Sequence, residues 1–113
     1  MKNKKASKKA RGKLRQSYQY LKENKPQEFY ASLHTALEGY IEDKLSIPHS
    51  DMQKENIACA LSDRKIEKEQ IDKFIELLDE CEMIRYSPNP QSFDMKHHYD
   101  KATGLIQYFE NKL

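Results

Sequence analysis

The chain has 113 residues, enough for one domain. It is 37% hydrophobic, holds 3 Gly and 4 Pro and contains no Val, which disfavours a mostly β fold and lets long runs stay helical. Its net charge of +2 is split: residues 1–25 carry ten Lys or Arg and one acid, Glu23, whereas residues 26–113 carry ten basic and seventeen acidic residues.

The chain opens with KNKKASKKARGKLR (2–15), eight basic residues and no acid. Such a block repels itself, so residues 1–9 read as a basic, partly disordered arm and residues 10–113 as a single helical domain. Lys4, Lys5, Lys8, Lys9, Arg11 and Lys13 are candidates for contact with an anion. The partner could be nucleic-acid phosphate, or an anionic membrane surface at about 1 kcal/mol per basic residue. A solubilising linker without a partner is the third reading.

Five helices can be drawn. The first spans about Ser7 to Glu23, with Ala10, Leu14, Tyr18 and Leu21 as its apolar stripe. The second runs from Pro26, which suits a first helical turn, to Leu45. Phe29, Leu33, Ala36, Leu37, Tyr40, Ile41 and Leu45 mark its buried face. Gly39 inside it is expected to let another helix approach closely. Ile47-Pro48 ends the run.

Ser50 and Gln53 have capping-box spacing and start the third helix, with Ile57, Ala60 and Leu61 inward and Cys59 nearby. The fourth starts near Glu67, where Ile66 and Ile71 sit at hydrophobic-staple spacing. Ile71, Phe74, Ile75, Leu78 and Cys81 form its stripe. The fifth starts between Asn89 and Ser92 and carries Ala102, Leu105, Ile106, Phe109 and Leu113. The fold class is therefore all-α, a compact bundle of four to five helices with a basic arm.

Chemistry is sparsely marked. No apolar stretch is long enough for a membrane span, and no apolar run follows the charged N-terminus as in a signal peptide. His97 and His98 are adjacent, so they diverge by about 100° on a helix, and with Asp94 they give too few ligands for zinc. No Gly-rich phosphate loop is present, and neither a metal nor a cofactor is expected. Cys59 and Cys81 lack metal-site spacing and read as reduced, buried thiols. Glu80 and Glu82 beside Cys81, late in a helix, oppose a thiolate, so an enzyme is not expected. The acidic body repels a duplex, which disfavours nucleic acid as the partner. Tyr30, Tyr40, Glu82, Arg85 and Tyr86 form either a structural clasp or a partner contact. In that set Glu82 and Arg85 can pair at i,i+3, Arg85 can reach an acid on the second helix such as Glu42 or Asp43, and Tyr86 packs at the turn.

Three stretches, EFYASLHTALEGYIEDKLSIP (28–48), the polar-capped helix after it, and LLDECEMIRYSP (77–88), together resemble a known family. They are similar to the C-terminal cytoplasmic domain of BatD, the Bacteroides-type aerotolerance (oxygen tolerance) membrane protein. Its members read approximately FY, AL, Y and a KL-I-P end, then CE, two residues, RY and P. The likeness runs from about residue 10 to the end.

The resemblance implies a larger protein with a secretory signal, periplasmic β-sandwich repeats, one membrane span and this tail on the cytoplasmic side of the inner membrane. It implies partners among the other Bat-operon proteins, of von Willebrand A type and a MoxR-type AAA+ ATPase. It brings no catalytic motif to carry over. Lys2 to Lys13 would then lie just inside the membrane, where positive charge belongs. The expectation is a non-catalytic interaction domain of an aerotolerance or envelope stress protein. The alternative is a small independent helical protein that binds nucleic acid through its lysine-rich arm.

Overall fold

A computed structural model describes residues 4–51 and 53–113, with only the backbone described for residues 4–9 and His49. It is all-α, with no strand among the described residues. The helices are α1 (Lys4–Lys22), α2 (Pro26–Leu45), α3 (Lys54–Asp63), α4 (Lys68–Arg85) and α5 (Met95–Lys112). Short 3-10 turns occupy His49–Asp51 and Pro90–Ser92.

The helix ends follow from local chemistry. α1 stops where Asn24 takes the left-handed conformation at φ 56° and Lys25 N donates to Tyr20 O at 2.9 Å. Pro26 then opens α2 at a position whose N–H would have no helical partner. Ser46 ends α2 in the same left-handed way, with Ile47 N donating to Glu42 O at 3.1 Å, and Pro48 prevents continuation. Lys65, at φ 62°, makes the turn between α3 and α4. Asp94 caps α5: its Oδ1 accepts from His97 N at 3.2 Å.

α2 is the central helix. It packs against α1, α3, α4 and α5, and its buried set exceeds one stripe: Tyr30 and His34 are enclosed beside the seven expected residues. Phe74 of α4 meets Phe109 of α5 edge-on at 5.3 Å, and Tyr40 of α2 stacks on Phe109 at 6.5 Å. Burying such rings contributes about 2–3 kcal/mol each, so this contact anchors three helices.

Several expectations change. α1 begins at Lys4, earlier than Ser7, so residues 4–9 continue the helix. Its inward face is Ala10, Leu14 and Ser17, while Tyr18 is 41% exposed. Ser17 is fully buried, and its Oγ lies 2.7 Å from Ser32 Oγ of α2, so two small polar residues let the helices approach. Gly39 does not admit a neighbour: nothing lies within 4 Å of a Cβ built on it.

The Ser50–Gln53 capping box does not form. Gln53 is itself the N-cap of α3, without a side-chain cap, and its Nε2 donates to Ser50 O. Cys59 is exposed, not buried. α5 starts at Met95 because the chain from Pro90 to Ser92 makes a 3-10 turn first. The staple residues Ile66 and Ile71 are both buried.

Candidate functional site

Three polar ties link α2 to the helices around it, and they absorb most of the buried titratable groups. The first is centred on His98 of α5, which is 5% exposed. Its Nε2 lies 2.9 Å from Glu80 Oε2 of α4. Its Nδ1 lies 2.8 Å from Tyr30 Oη of α2 and 2.9 Å from Asp94 O one turn earlier.

A hydrogen on Nε2 is donated to the Glu80 carboxylate, and Nδ1 either accepts from the Tyr30 hydroxyl when bare or donates to Asp94 O when it carries a hydrogen. Lys101 Nζ, 3.9 Å from Glu80 Oε1, adds positive charge beside the carboxylate. Burial, with Cys81, Asp94 and Glu80 near, pushes the Tyr30 phenol well above its ordinary value and keeps it a hydroxyl.

The second tie joins α2 to the end of α5. Tyr40 Oη donates to Glu110 Oε2 at 2.5 Å, and Lys44 Nζ lies 2.9 Å from the same oxygen. The Lys44 side chain is 3% exposed, so its charge is offset inside the fold. Burial, then the hydrogen bond to Glu110, raises the Tyr40 phenol strongly.

The third tie joins α2 to the C-terminal end of α4. Arg85 Nη1 lies 3.4 Å from His34 Nδ1, and the same ring nitrogen lies 3.3 Å from Glu38 Oε1. When bare, Nδ1 accepts from Arg85; when it carries a hydrogen, it donates to Glu38. The guanidinium also lies 5.1 Å over the Tyr86 ring. Arg85 thus reaches the second helix, as expected, but at a histidine.

The buried thiol belongs with the first tie. Cys81 is fully buried, and burial, reinforced by Glu80, pushes it up to about 12, against a smaller downward pull from Lys101. At neutral pH it is a thiol packed in the core.

A surface cleft of about 600 Å³ lies between α1 and α5, within the range of binding clefts. Arg11 and Arg15 stand on its α1 wall, Leu14 and Ile106 form its floor, and Glu110 lies at one end. At the other end Tyr18 and Tyr99 meet with ring centroids 5.4 Å apart, tilted by 44°.

The structure scatters the residues singled out from sequence. Arg11 lines the α1–α5 cleft, whereas Lys13 lines a shallow hollow between α1 and α2. Two positions along a helix turn a side chain by about 200°, so one flat surface cannot take both. Lys4, Lys5, Lys8 and Lys9 lie in the first turns of α1, with side chains outside the described residues. Tyr30 and Tyr40 are enclosed and present no surface. Tyr86 is 75% exposed and does not pack at the turn. Glu82 is exposed beside the hollow lined by His34 and Asp79.

Sequence reasoning missed His98, Glu80, Lys44 and Glu110 as structural polar groups, and Arg15 and Tyr99 as cleft residues. His98 had a signal: it sits one turn before Ala102 on the stripe of α5. No group of three or more potential metal ligands occurs among the described residues. No described helix is long and apolar enough to cross a membrane. Comparison with known families, with curated proteins and with solved structures finds no match for this chain.

Proposed function

We propose that this chain is a non-catalytic interaction domain, the cytoplasmic tail of a membrane-anchored protein of the BatD kind that docks partners at the inner face of the membrane. The observation that carries the non-catalytic part is how the reactive side chains are used. His98 is spent on Tyr30, Asp94 and Glu80, and Cys81 is an enclosed thiol. The features left at the surface are those of contact: the arginine pair and tyrosine pair of the α1–α5 cleft, and the exposed Met83 and Tyr86. The tail position rests on the resemblance of residues 28–48 and 77–88 and on the basic block at 2–15.

Cell fractionation tests this reading. An antibody to the domain is applied to lysate of the native organism. A band several times heavier than 13.4 kDa in the membrane pellet is the expected result. A band near 13.4 kDa in the soluble fraction overturns it and favours the alternative, a small protein that binds nucleic acid through residues 1–9. That alternative predicts DNA binding that falls steeply with salt, since it rests on counterion release.

A further inference from the structure

We infer that the α1–α5 cleft is a docking groove for an acidic amphipathic helix of a partner protein, an assignment that rests on the reading of the domain as an interaction module. The first argument is the choice of cation. The chain has sixteen Lys and four Arg, yet the cationic wall of the cleft is built from two of those four, Arg11 and Arg15. At i,i+4 their side chains project from the same face of α1. A guanidinium grips a carboxylate with two parallel hydrogen bonds, which an ammonium cannot do. Among the described residues neither arginine is held in an ion pair, and both are exposed.

Apart from Glu110 at one end, the opposite wall is uncharged. Thr103, Gln107 and Asn111 follow one another at four-residue steps along α5 and offer neutral donors and acceptors. Glu110 contributes a negative charge at one end, but Lys44 and Tyr40 hold its carboxylate from the core side. The groove is therefore cationic where a ligand would lie. Its floor is apolar, so an occupant must bring apolar side chains together with carboxylates, which describes one amphipathic helix face.

Length supports the same occupant. From Tyr99 to Asn111 the α5 wall extends about 18 Å, which matches about three turns of a partner helix. The Tyr18–Tyr99 pair closes that end with ring faces suited to an apolar anchor.

The test uses the full 113-residue chain and a display library of random peptides of about 15 residues, or about four helical turns. The expected selection is enriched in Asp and Glu on one side of a helical pattern and in Leu-type residues beside them. A labelled peptide from that selection should bind Arg11→Glu/Arg15→Glu at least about tenfold more weakly. It should bind Lys68→Glu/Lys73→Glu, which carries the same charge change on exposed positions of α4, within about twofold of the parent. Amide shifts on peptide addition should centre on Leu14, Tyr99 and Ile106.

Peptides that bind the double arginine variant undiminished, or that shift the Met83 and Tyr86 face instead, overturn the groove but leave an interaction module. Equal weakening by both double variants overturns it as general charge attraction. A selection that yields no binders overturns the groove and the module together. A soluble 13.4 kDa native protein removes the membrane-tail reading and leaves the groove assignment standing.

Discussion

His98 Nε2 of α5 lies 2.9 Å from Glu80 Oε2 of α4, while the other nitrogen of the same ring lies 2.8 Å from Tyr30 Oη of α2. One enclosed imidazole therefore ties three helices together across 68 residues of sequence. Each partner loses water on folding, and the hydrogen bonds replace what water supplied.

Removing one member of this tie exposes that cost. Tyr30→Phe deletes a single hydroxyl and should lower stability by about 1 kcal/mol. His98→Leu leaves Tyr30 Oη enclosed without a partner and should cost about 2–3 kcal/mol. The two losses should add to more than the double variant loses, since both break one bond. Urea unfolding of the four proteins measures this. Strict additivity would mean that the Tyr30–His98 bond carries no energy.

Arg85→Ala tests the clasp at the end of α4. The guanidinium reaches His34 at a long 3.4 Å and is only partly enclosed, so the expected loss is about 0.5–1 kcal/mol. A lowered melting temperature with partner binding intact supports the clasp. An unchanged melting temperature with partner binding lost would make Arg85 an interface residue instead.

How much was legible follows the range of the interactions. α2 was readable to its terminal residues because seven apolar positions repeat over its length and Pro26 and Pro48 bracket it. The α1 stripe was ambiguous, since Ser17 and Tyr18 both lie at helical spacing from Leu14. Hydrophobicity favoured the tyrosine, but close packing of Ser17 on Ser32 decided for the serine. The Ser50–Gln53 motif matched in sequence, yet the backbone bond from Asp51 N to Pro48 O set a 3-10 turn there. The His98 and Glu110 ties join residues 68 and 70 positions apart, and no local pattern carries such a pairing. The cleft is likewise invisible until α1 and α5 are side by side.

The two thiols should behave oppositely toward a chromogenic disulfide reagent. Cys59 is exposed and should react in the folded protein, whereas Cys81 should stay silent until denaturant is added. Comparison of Cys59→Ser with the parent assigns the fast thiol. A fast-reacting Cys81 would contradict both its burial and the non-catalytic reading.

Stability should fall in alkali. The folded protein holds protons on Cys81, Tyr30 and Tyr40 above the ordinary values of 9.0 for the thiol and 10.0 for the phenols. The unfolded chain releases them at those ordinary values, so it binds fewer protons than the folded state as pH rises. The contribution is complete below pH 9.0 and is lost upward, toward about 12 for Cys81 and further for the tyrosines. The slope is about 1.4 kcal/mol per pH unit for each group that differs. Urea unfolding at intervals from about pH 8 to 11 should show the decline beginning with Cys81 and steepening as the tyrosines join. Tyr40→Phe should flatten the upper part. A flat profile would place these groups in contact with water.

The glycines and the left-handed turns are mismatched, which gives a route to a more stable domain. Gly39 and Gly104 lie inside α2 and α5, and nothing lies within 4 Å of a Cβ built on either. Alanine there should gain about 1 kcal/mol each, by removing backbone freedom from the unfolded chain. Lys65 meanwhile holds φ 62°, a conformation that costs a side-chain-bearing residue about 1 kcal/mol and glycine nothing. The three sites lie on different elements, so Gly39→Ala, Gly104→Ala and Lys65→Gly should combine to about 3 kcal/mol and raise the melting temperature by about 10 °C. The Gly39 variant decides a further point. A drop in its melting temperature would reveal a neighbour packed against that face of α2, as the sequence pattern alone suggests. A rise agrees with the open face of the structure and leaves Gly39 free to be replaced.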